Sequence, residues 1–285
     1  MDIGIITFAT DRSIAPDVLG AACEERGFES LWFAEHTHIP TSRKTPFLVG
    51  GDLPEMYWRT VDQFVAMTAA AAVTTKLKIG SGVALVTEHD PINLAKRVAS
   101  LDRLSEGRLL FGIGAGWNVE EMEDHGVAFK DRWKVTRERV LAMRTIWTED
   151  EPEYHGEFVD FPAMWSWPKP VQSGGPPILM GAFSKWVPKR IAEYCDGWMP
   201  IDGASDIASG IKEIKNAMRE VGRKDDSLDV TMLAAASPDR GPDLDRLKET
   251  TEIGVNRALL PLPDVGEKEA LKVLDSYVHL VESLR

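Results

Sequence analysis

The sequence predicts an α/β protein, a single (β/α)8 barrel over residues 1–285, and three observations lead there. Strand-length apolar runs alternate with segments of helical period, eight times along the chain. The stretch from Leu77 to Trp117 reads as one βαβ unit, whose strands must be parallel because a helix joins them. Both of those strands finish in glycine, Gly80 and Gly82 in one and Gly112, Gly114 and Gly116 in the other, as expected where backbone turns tightly or a ligand comes close. A doubly wound open sheet is the alternative. It is disfavoured because Gly112-x-Gly114 is followed by Gly116 and Trp117, where a dinucleotide fingerprint wants glycine at the latter position, and because the run does not open the first unit.

Ile3 to Phe8 is read as strand one and Ala15 to Arg26 as a helix ending at Gly27. Ser30 to Ala34 is strand two, followed by Glu35-His36-Thr37-His38 and an excursion rich in proline and glycine. Asp62 to Thr74 is the second helix. In the central unit Asp90 can cap free N–H groups, Pro91 suits the first helical position, and Leu94, Ala95, Val98, Leu101 and Leu104 recur at helical spacing. Leu109 to Ile113 is a buried strand. A loop to Phe129 leads to a helix from Asp131 to Trp147, and Tyr154 to Phe158 holds a small hairpin.

The rhythm resumes with a strand at Pro177 to Met180, a helix at Ser184 to Cys195 and a strand at Gly197 to Pro200. Ile207 to Val221 is a helix, Asp229 to Ala235 a strand, Leu244 to Ile253 a helix, Arg257 to Leu260 a strand and Glu267 to Leu284 the last helix. Loop insertions fall at about residues 37–57 and 150–176. Long ordered connections tend to be functional, so both are expected over the pocket, with Trp58, Trp165 and Trp167 as lid residues or as packing for the barrel rim.

A formal charge of -12 argues against a nucleic-acid partner. Cys23 and Cys195 fall in helical patterns and are expected in the core of a protein from a reducing compartment. The chain opens without a basic, cleavable leader, and its longest apolar run, Phe64 to Val73, is too short to span a bilayer. A cytoplasmic protein with no membrane partner is expected.

In a barrel the chemistry gathers at the carboxyl ends of the strands. Those ends are Thr7 and Phe8, Glu35 and His36, Gly82 to Leu85, Gly114 to Trp117, Gly181 to Phe183, Met199 and Pro200, Ala235 and Ala236, and Leu260 and Pro261. Only Glu35 and His36 stand out as ionisable, with His38, His89 and His125 in nearby loops. His36-x-His38 could start a metal site, but the other strand ends supply no further ligands, so no metal is expected. Ser81 sits within a strand and not in a nucleophile elbow. A site this sparse calls for a cofactor that brings its own chemistry.

Several segments resemble the bacterial luciferase-like family of flavin and deazaflavin oxidoreductases. They are Trp32-Phe-Ala-Glu-His36, Ile79-Gly-Ser-Gly-Val83, Asp90-Pro-Ile-Asn-Leu-Ala-Lys-Arg97, Leu101-Asp-Arg-Leu-Ser-Glu-Gly-Arg108, Gly112-Ile-Gly-Ala-Gly-Trp117, Pro177-Ile-Leu-Met-Gly181 and Ala192 to Pro200. The likeness covers roughly residues 1–200 and is strongest to the actinobacterial branch that uses coenzyme F420.

That resemblance implies an F420-dependent oxidoreductase acting on a small organic molecule, a luciferase-like barrel and a homodimer. The alternatives are an FMN-dependent monooxygenase of the same fold and a non-catalytic barrel. It implies a non-proline cis peptide at Gly82-Val83, with Leu85 and Gly114, Ala115 and Gly116 in the same cofactor-binding set. It implies a phosphate site at Ala182, Phe183, Ser184, Lys185 and Trp186, where free N–H groups and the helix dipole favour an anion. Here Gly-Ala-Phe-Ser-Lys replaces the usual Gly-Gly-Ser-Gly, and Lys185 could compensate in charge.

His36 matches an active-site histidine and Glu35 the acidic residue beside it. An imidazole can move the proton that accompanies hydride transfer. The plainer reading of His36 is a structural histidine bonded to the adjacent loop. The family's sugar-phosphate dehydrogenases carry a carboxylate where this chain has Trp117, so sugar-phosphate oxidation is not expected.

Overall fold

In the computed structural model, which describes residues 1–48, 50–204, 206–234 and 242–284, strands and helices alternate as the sequence predicts. The strands are β1 (Asp2–Thr7), β2 (Ser30–Phe33), β3 (Lys78–Ser81), β4 (Ala84–Leu85), β5 (Leu109–Gly114), β6 (Tyr154–His155), β7 (Asp160–Phe161), β8 (Ile178–Met180), β9 (Gly197–Trp198), β10 (Asp229–Leu233) and β11 (Arg257–Pro261). The helices are α1 (Pro16–Glu25), α2 (Gln63–Ala72), α3 (Pro91–Leu104), α4 (Val119–Asp124), α5 (Arg132–Thr148), α6 (Val187–Tyr194), α7 (Ile207–Glu220), α8 (Leu244–Glu252) and α9 (Glu267–Leu284). β1 pairs in parallel with both β2 and β11, and the ladder runs on through β3, β5, β8, β9 and β10 until it meets β11 again. The sheet therefore closes. β4 prolongs the third stave beside β5.

The local rules that set the boundaries are visible. Asp90 Oδ1 accepts from Asn93 N at 2.8 Å with Pro91 opening α3, and Asp62 and Asp206 cap α2 and α7 in the same way. Gly107, at φ +80°, takes the chain out of α3. Two layers of core follow from the strand alternation. One lies between strands and helices, and the other, Trp32, Leu110, Leu179, Met199 and Leu259, forms a separate inner cluster. Both cysteines are buried free thiols, and burial pushes each thiol up, so neither is primed as a nucleophile. Among the described residues no helix is long and apolar enough to cross a membrane.

At the end where strands begin, Arg257 is held by Glu29 through two bonds of 2.7 and 2.9 Å, by Asp229 at 3.1 Å and by Thr231 at 2.7 Å. Burial alone would raise the Glu29 carboxyl, but the hydrogen bonds and charge of Arg257 bring it down to about 2.

Four expectations need correction. The stretch from Trp117 to Phe129 is not all loop but contains α4. The helix expected from Ser184 starts at Val187, because residues 184–186 form a turn and Pro188 can stand only in a first helical turn. The hairpin reaches to Phe161, pairing Tyr154 with Phe161 and His155 with Asp160. The strand expected to end at Ala235 is seen to Leu233, and Ala235 and Ala236 lie outside the described residues.

Candidate active site

The carboxyl ends of β2, β4 and β5 bring together three buried glutamates and three imidazoles. His36, just past β2, is 7 % exposed and its Nδ1 lies 2.8 and 3.0 Å from the two carboxylate oxygens of Glu121 on α4. Thr37 N donates to the same carboxylate at 3.2 Å. With Nδ1 bonded to the Glu121 carboxyl group, Nε2 is the ring nitrogen left to face the barrel mouth. Among the described residues Nε2 of His36 has no hydrogen bond.

Glu35 is placed differently. One oxygen accepts from Leu85 N at 2.6 Å and the other lies 2.8 Å from His89 Nε2, so its carboxylate ties β4 to the start of α3. Glu88 is the third acid. Thr37 Oγ1 lies 3.4 Å from it and His125 Nε2 3.8 Å. Burial, with the charges of Glu121 and Glu35 close by, pushes the Glu88 carboxyl up to about 9. Glu88 is thus a neutral acid at pH 7.

Aromatic rings enclose the exposed side of His36. Phe8 stacks parallel at 6.5 Å between ring centres, Tyr57 lies at 5.0 Å and Trp117 meets the imidazole edge-on at 5.9 Å. Phe47 joins both Tyr57 and Trp117 at 5.3 and 6.0 Å. Phe47 and Tyr57 come from the excursion after β2, which Glu120 pins by accepting from Lys44 N at 2.7 Å and Thr45 Oγ1 at 2.7 Å. This first long loop does reach the barrel mouth.

The second reaches that end only through residues 158–161, which line a cavity of about 350 Å³ with Glu88, His89 and His125. A connection from a helix to the next strand returns to the end where strands begin. Accordingly Val171 N and Gln172 Nε2 bond Asp102 near the end of α3, at 2.7 Å each, and Lys169 Nζ bonds the carbonyl of Ile146 in α5 at 2.6 Å. Trp165, 81 % exposed, donates Nε1–H to Glu151, and Trp167 is also exposed. The lid expectation for Trp165 and Trp167 is therefore overturned.

The strand-end glycines also read differently in place. The Gly82-Val83 peptide is cis. A Cβ on Gly114 or Gly181 would stand 2.8 or 2.9 Å from a Val83 methyl, one on Gly82 2.8 Å from Ile6 Cδ1, and one on Gly112 would strike the Ser81 carbonyl. These glycines make room for protein. What they admit is an apolar floor, because Ile6, Val83 and Leu233 lie partly buried on the inner cluster.

A profile of the luciferase-like monooxygenase family matches residues 18–246. The chain belongs to that family. An uncharacterized protein of Mycobacterium tuberculosis is 39 % identical over 273 residues, 95 % of each chain. An F420-dependent glucose-6-phosphate dehydrogenase of Mycolicibacterium gilvum is 28 % identical over 79 % of this chain and 65 % of its own. The solved monooxygenase RslO1 of Streptomyces bottropensis superposes with a TM-score of 0.80 at 17 % identity, covering 99 % of each chain, which shows the shared fold.

In this luciferase-like chain the predicted residues fall in two places. His36, Glu35, Gly82, Val83, Leu85, Gly114, Ala115 and Gly116 gather at the mouths of β2 to β5. Ala182, Phe183, Ser184 and Lys185 line a cavity of about 380 Å³ at the start of α6, together with Asp206 and Glu213, and Trp186 faces away from it into a neighbouring groove. Glu121, Glu88 and Asn118 were missed. Asn118 followed by Val119-Glu120-Glu121 is a helix-start signal, but six residues are too few to show a period. Asn118 is 1 % exposed, and among the described residues neither polar atom of its amide has a hydrogen bond.

Proposed function

We propose that the chain is an F420-dependent oxidoreductase that moves a hydride between the deazaflavin and a small organic substrate, with His36 as the proton donor or acceptor. The observation that carries this reading is the Glu121–His36 pair, which leaves one imidazole nitrogen open inside a cup of Phe8, Tyr57 and Trp117. The residues fit such a cofactor. The floor of Ile6, Val83 and Leu233 is apolar, as a planar ring system needs, and the unmet amide of Asn118 is a buried donor and acceptor at the same mouth. Ser184, Lys185 and the turn before α6 suit a phosphate. Asp206 and Glu213 line that cavity too, so the contact falls to Ser184 and Lys185.

Bound F420 would supply or accept the hydride. His36 would hold or release the proton at Nε2 beside the substrate oxygen, while Glu121 fixes the ring and steadies its charge. Glu35 acts here through position: it holds Leu85 and His89, and with them the backbone that follows Val83. The ring of Trp117 where sugar-phosphate dehydrogenases carry a carboxylate argues for an alcohol, ketone or enone over a sugar phosphate. The relative from Mycolicibacterium gilvum supports the cofactor and not that substrate.

The test is a fluorescence titration of the purified protein with F420 and with FMN, followed by a panel of enones, ketones and alcohols. F420 is expected to bind more tightly and to turn over with at least one class. A clear preference for FMN would favour the monooxygenase that the family's description names.

A further inference from the structure

The cavity of about 350 Å³ beside the barrel mouth is walled by residues 88–92, by His125, by Arg139 of α5 and by residues 158–161 of the hairpin. Arg139 is the member of that wall whose needs the fold does not meet. Its side chain donates once, from Nη1 to the Val86 carbonyl at 2.9 Å, and its Nε is buried with no hydrogen bond. Among the described residues no carboxylate makes an ion pair with it. Other covered arginines are answered. Arg257 meets Glu29 and Asp229, and Arg108, which also lacks an ion pair, bonds three carbonyls and the Thr74 hydroxyl. Burial works against the Arg139 charge, and Asp90 favours it only from a distance. A guanidinium drawn out of water on these terms calls for an anion.

The rest of the cavity suits an anion that carries an apolar body. Glu88, neutral at pH 7, adds a donor to the wall without repelling a negative charge. The two aspartates there are engaged elsewhere. Asp90 Oδ1 caps α3 through Asn93 N at 2.8 Å, Asp160 Oδ1 is held by His155 Nδ1 at 2.6 Å, and both residues are exposed, where solvent screens them. Pro91, Ile92, Phe158 and Phe161 supply the apolar share of the lining.

We propose that this cavity binds a small organic carboxylate, its acid group on Arg139 and its apolar body among Pro91, Ile92, Phe158 and Phe161. The site is distinct from the one at His36 and does not depend on the cofactor reading. Glu88 belongs to both, since it lines the cavity and stands 3.4 Å from Thr37 Oγ1. A bound acid therefore sits one side chain away from the cluster at the strand ends.

The experiment titrates benzoate, benzamide and inorganic phosphate into the purified protein by calorimetry. Benzoate should bind roughly tenfold more tightly than benzamide, its neutral isostere, and than phosphate, which has the charge without the apolar body. Arg139→Gln can keep the bond to Val86 while losing the charge, and should weaken benzoate binding about tenfold, with Arg139→Lys in between. His36→Ala should leave it unchanged. Equal affinity for benzoate and benzamide, or no benzoate binding, overturns the anion site. Phosphate bound as tightly as benzoate overturns the organic ligand. Benzoate binding that Arg139→Gln leaves intact, or that His36→Ala abolishes, places the acid elsewhere and overturns the assignment to this cavity. If Arg139→Gln does not fold, Arg139→Lys and the wild-type comparison of benzoate with benzamide decide.

Discussion

The two ends of the barrel bury carboxylates on opposite terms. Where the strands begin, Glu29 and Asp229 face Arg257, a cation that does not titrate, and the Glu29 carboxyl sits at about 2. Where the strands end, Glu35, Glu88 and Glu121 face His89, His125 and His36, and the Glu88 carboxyl sits at about 9. With Lys78 also on Glu29 at 2.8 Å, the first arrangement balances two carboxylates with two cations and ties the starts of β2, β3, β10 and β11 together. The second has no arginine or lysine partner among the described residues: its acids meet imidazoles, the backbone N–H groups of Leu85 and Thr37, and the Thr37 hydroxyl. One end therefore contributes constant stability, and the other holds charge that can be moved, which is where perturbed acids and chemistry tend to coincide.

The largest effect should come from the mobile end. His36→Ala is expected to lower turnover by ~10²–10⁴-fold while leaving cofactor affinity within a few-fold. Glu121→Gln keeps a hydrogen-bond acceptor but removes the charge that steadies the imidazolium, and should cost about 10–100-fold. Full turnover in His36→Ala, whatever its melting temperature, would return His36 to the structural reading.

Arg257→Leu breaks the other end. It leaves Asp229 without this cation and Glu29 with Lys78 alone, at 2.8 Å, and the expected loss in chemical denaturation is about 3 kcal/mol, the low end for such pairs because Glu29 keeps that second partner and Glu29 and Asp229 keep 19 % and 26 % side-chain exposure. The sign with pH follows from the depressed Glu29 carboxyl. Its contribution is present above the ordinary carboxylate range and is lost as pH falls toward about 2. The gap between wild type and Arg257→Leu should therefore close in acid, and turnover per folded molecule should not change. A gap that stays constant from pH 7 to pH 3 would mean that Arg257 acts through packing on Trp32, 5.9 Å below its guanidinium, and not through charge.

This contrast also separates what the sequence discloses from what it hides. The barrel was legible because strand and helix periods are local, and so were the cap at Asp90, the strand-end position of His36 and the Gly82-Val83 cis peptide that the family resemblance implied. The partners were not. Glu121 lies 85 residues from His36, and Arg257 lies 228 residues from Glu29. No spacing rule predicts pairs made by closing a barrel. The glycines misled for a related reason: a missing side chain says that something comes close, and only the fold says that the neighbour is Val83 or Ser81 and not a ligand. Trp165 and Trp167 misled because an aromatic run looks alike wherever it lies: the hairpin of their loop lines a cavity with Glu88 and His89, whereas the tryptophans come after it, on the way back to the end where strands begin.

The smallest and most discriminating test concerns Glu88. Its neighbours are Glu35 and Glu121, which repel its charge, and Thr37 and His125, of which the hydroxyl can bond it. His125 offers little compensation, because burial and the neighbouring His38 push its imidazole down. With its carboxyl raised in the folded state, Glu88 favours folding below the ordinary carboxylate range, and that contribution is lost progressively as pH rises toward about 9. Glu88→Gln keeps the shape and the neutral state but cannot ionise. Melting temperatures measured from pH 5 to pH 9 should therefore start close together, or with the wild type slightly ahead. They should then cross, leaving Glu88→Gln the more stable by a few degrees at alkaline pH. The same substitution on the Arg257 side, Glu29→Gln, should be destabilising at every pH above the carboxylate range. Parallel curves for wild type and Glu88→Gln would mean that Glu88 ionises normally, and that the excess negative charge at the strand ends is relieved by solvent and not held as a proton.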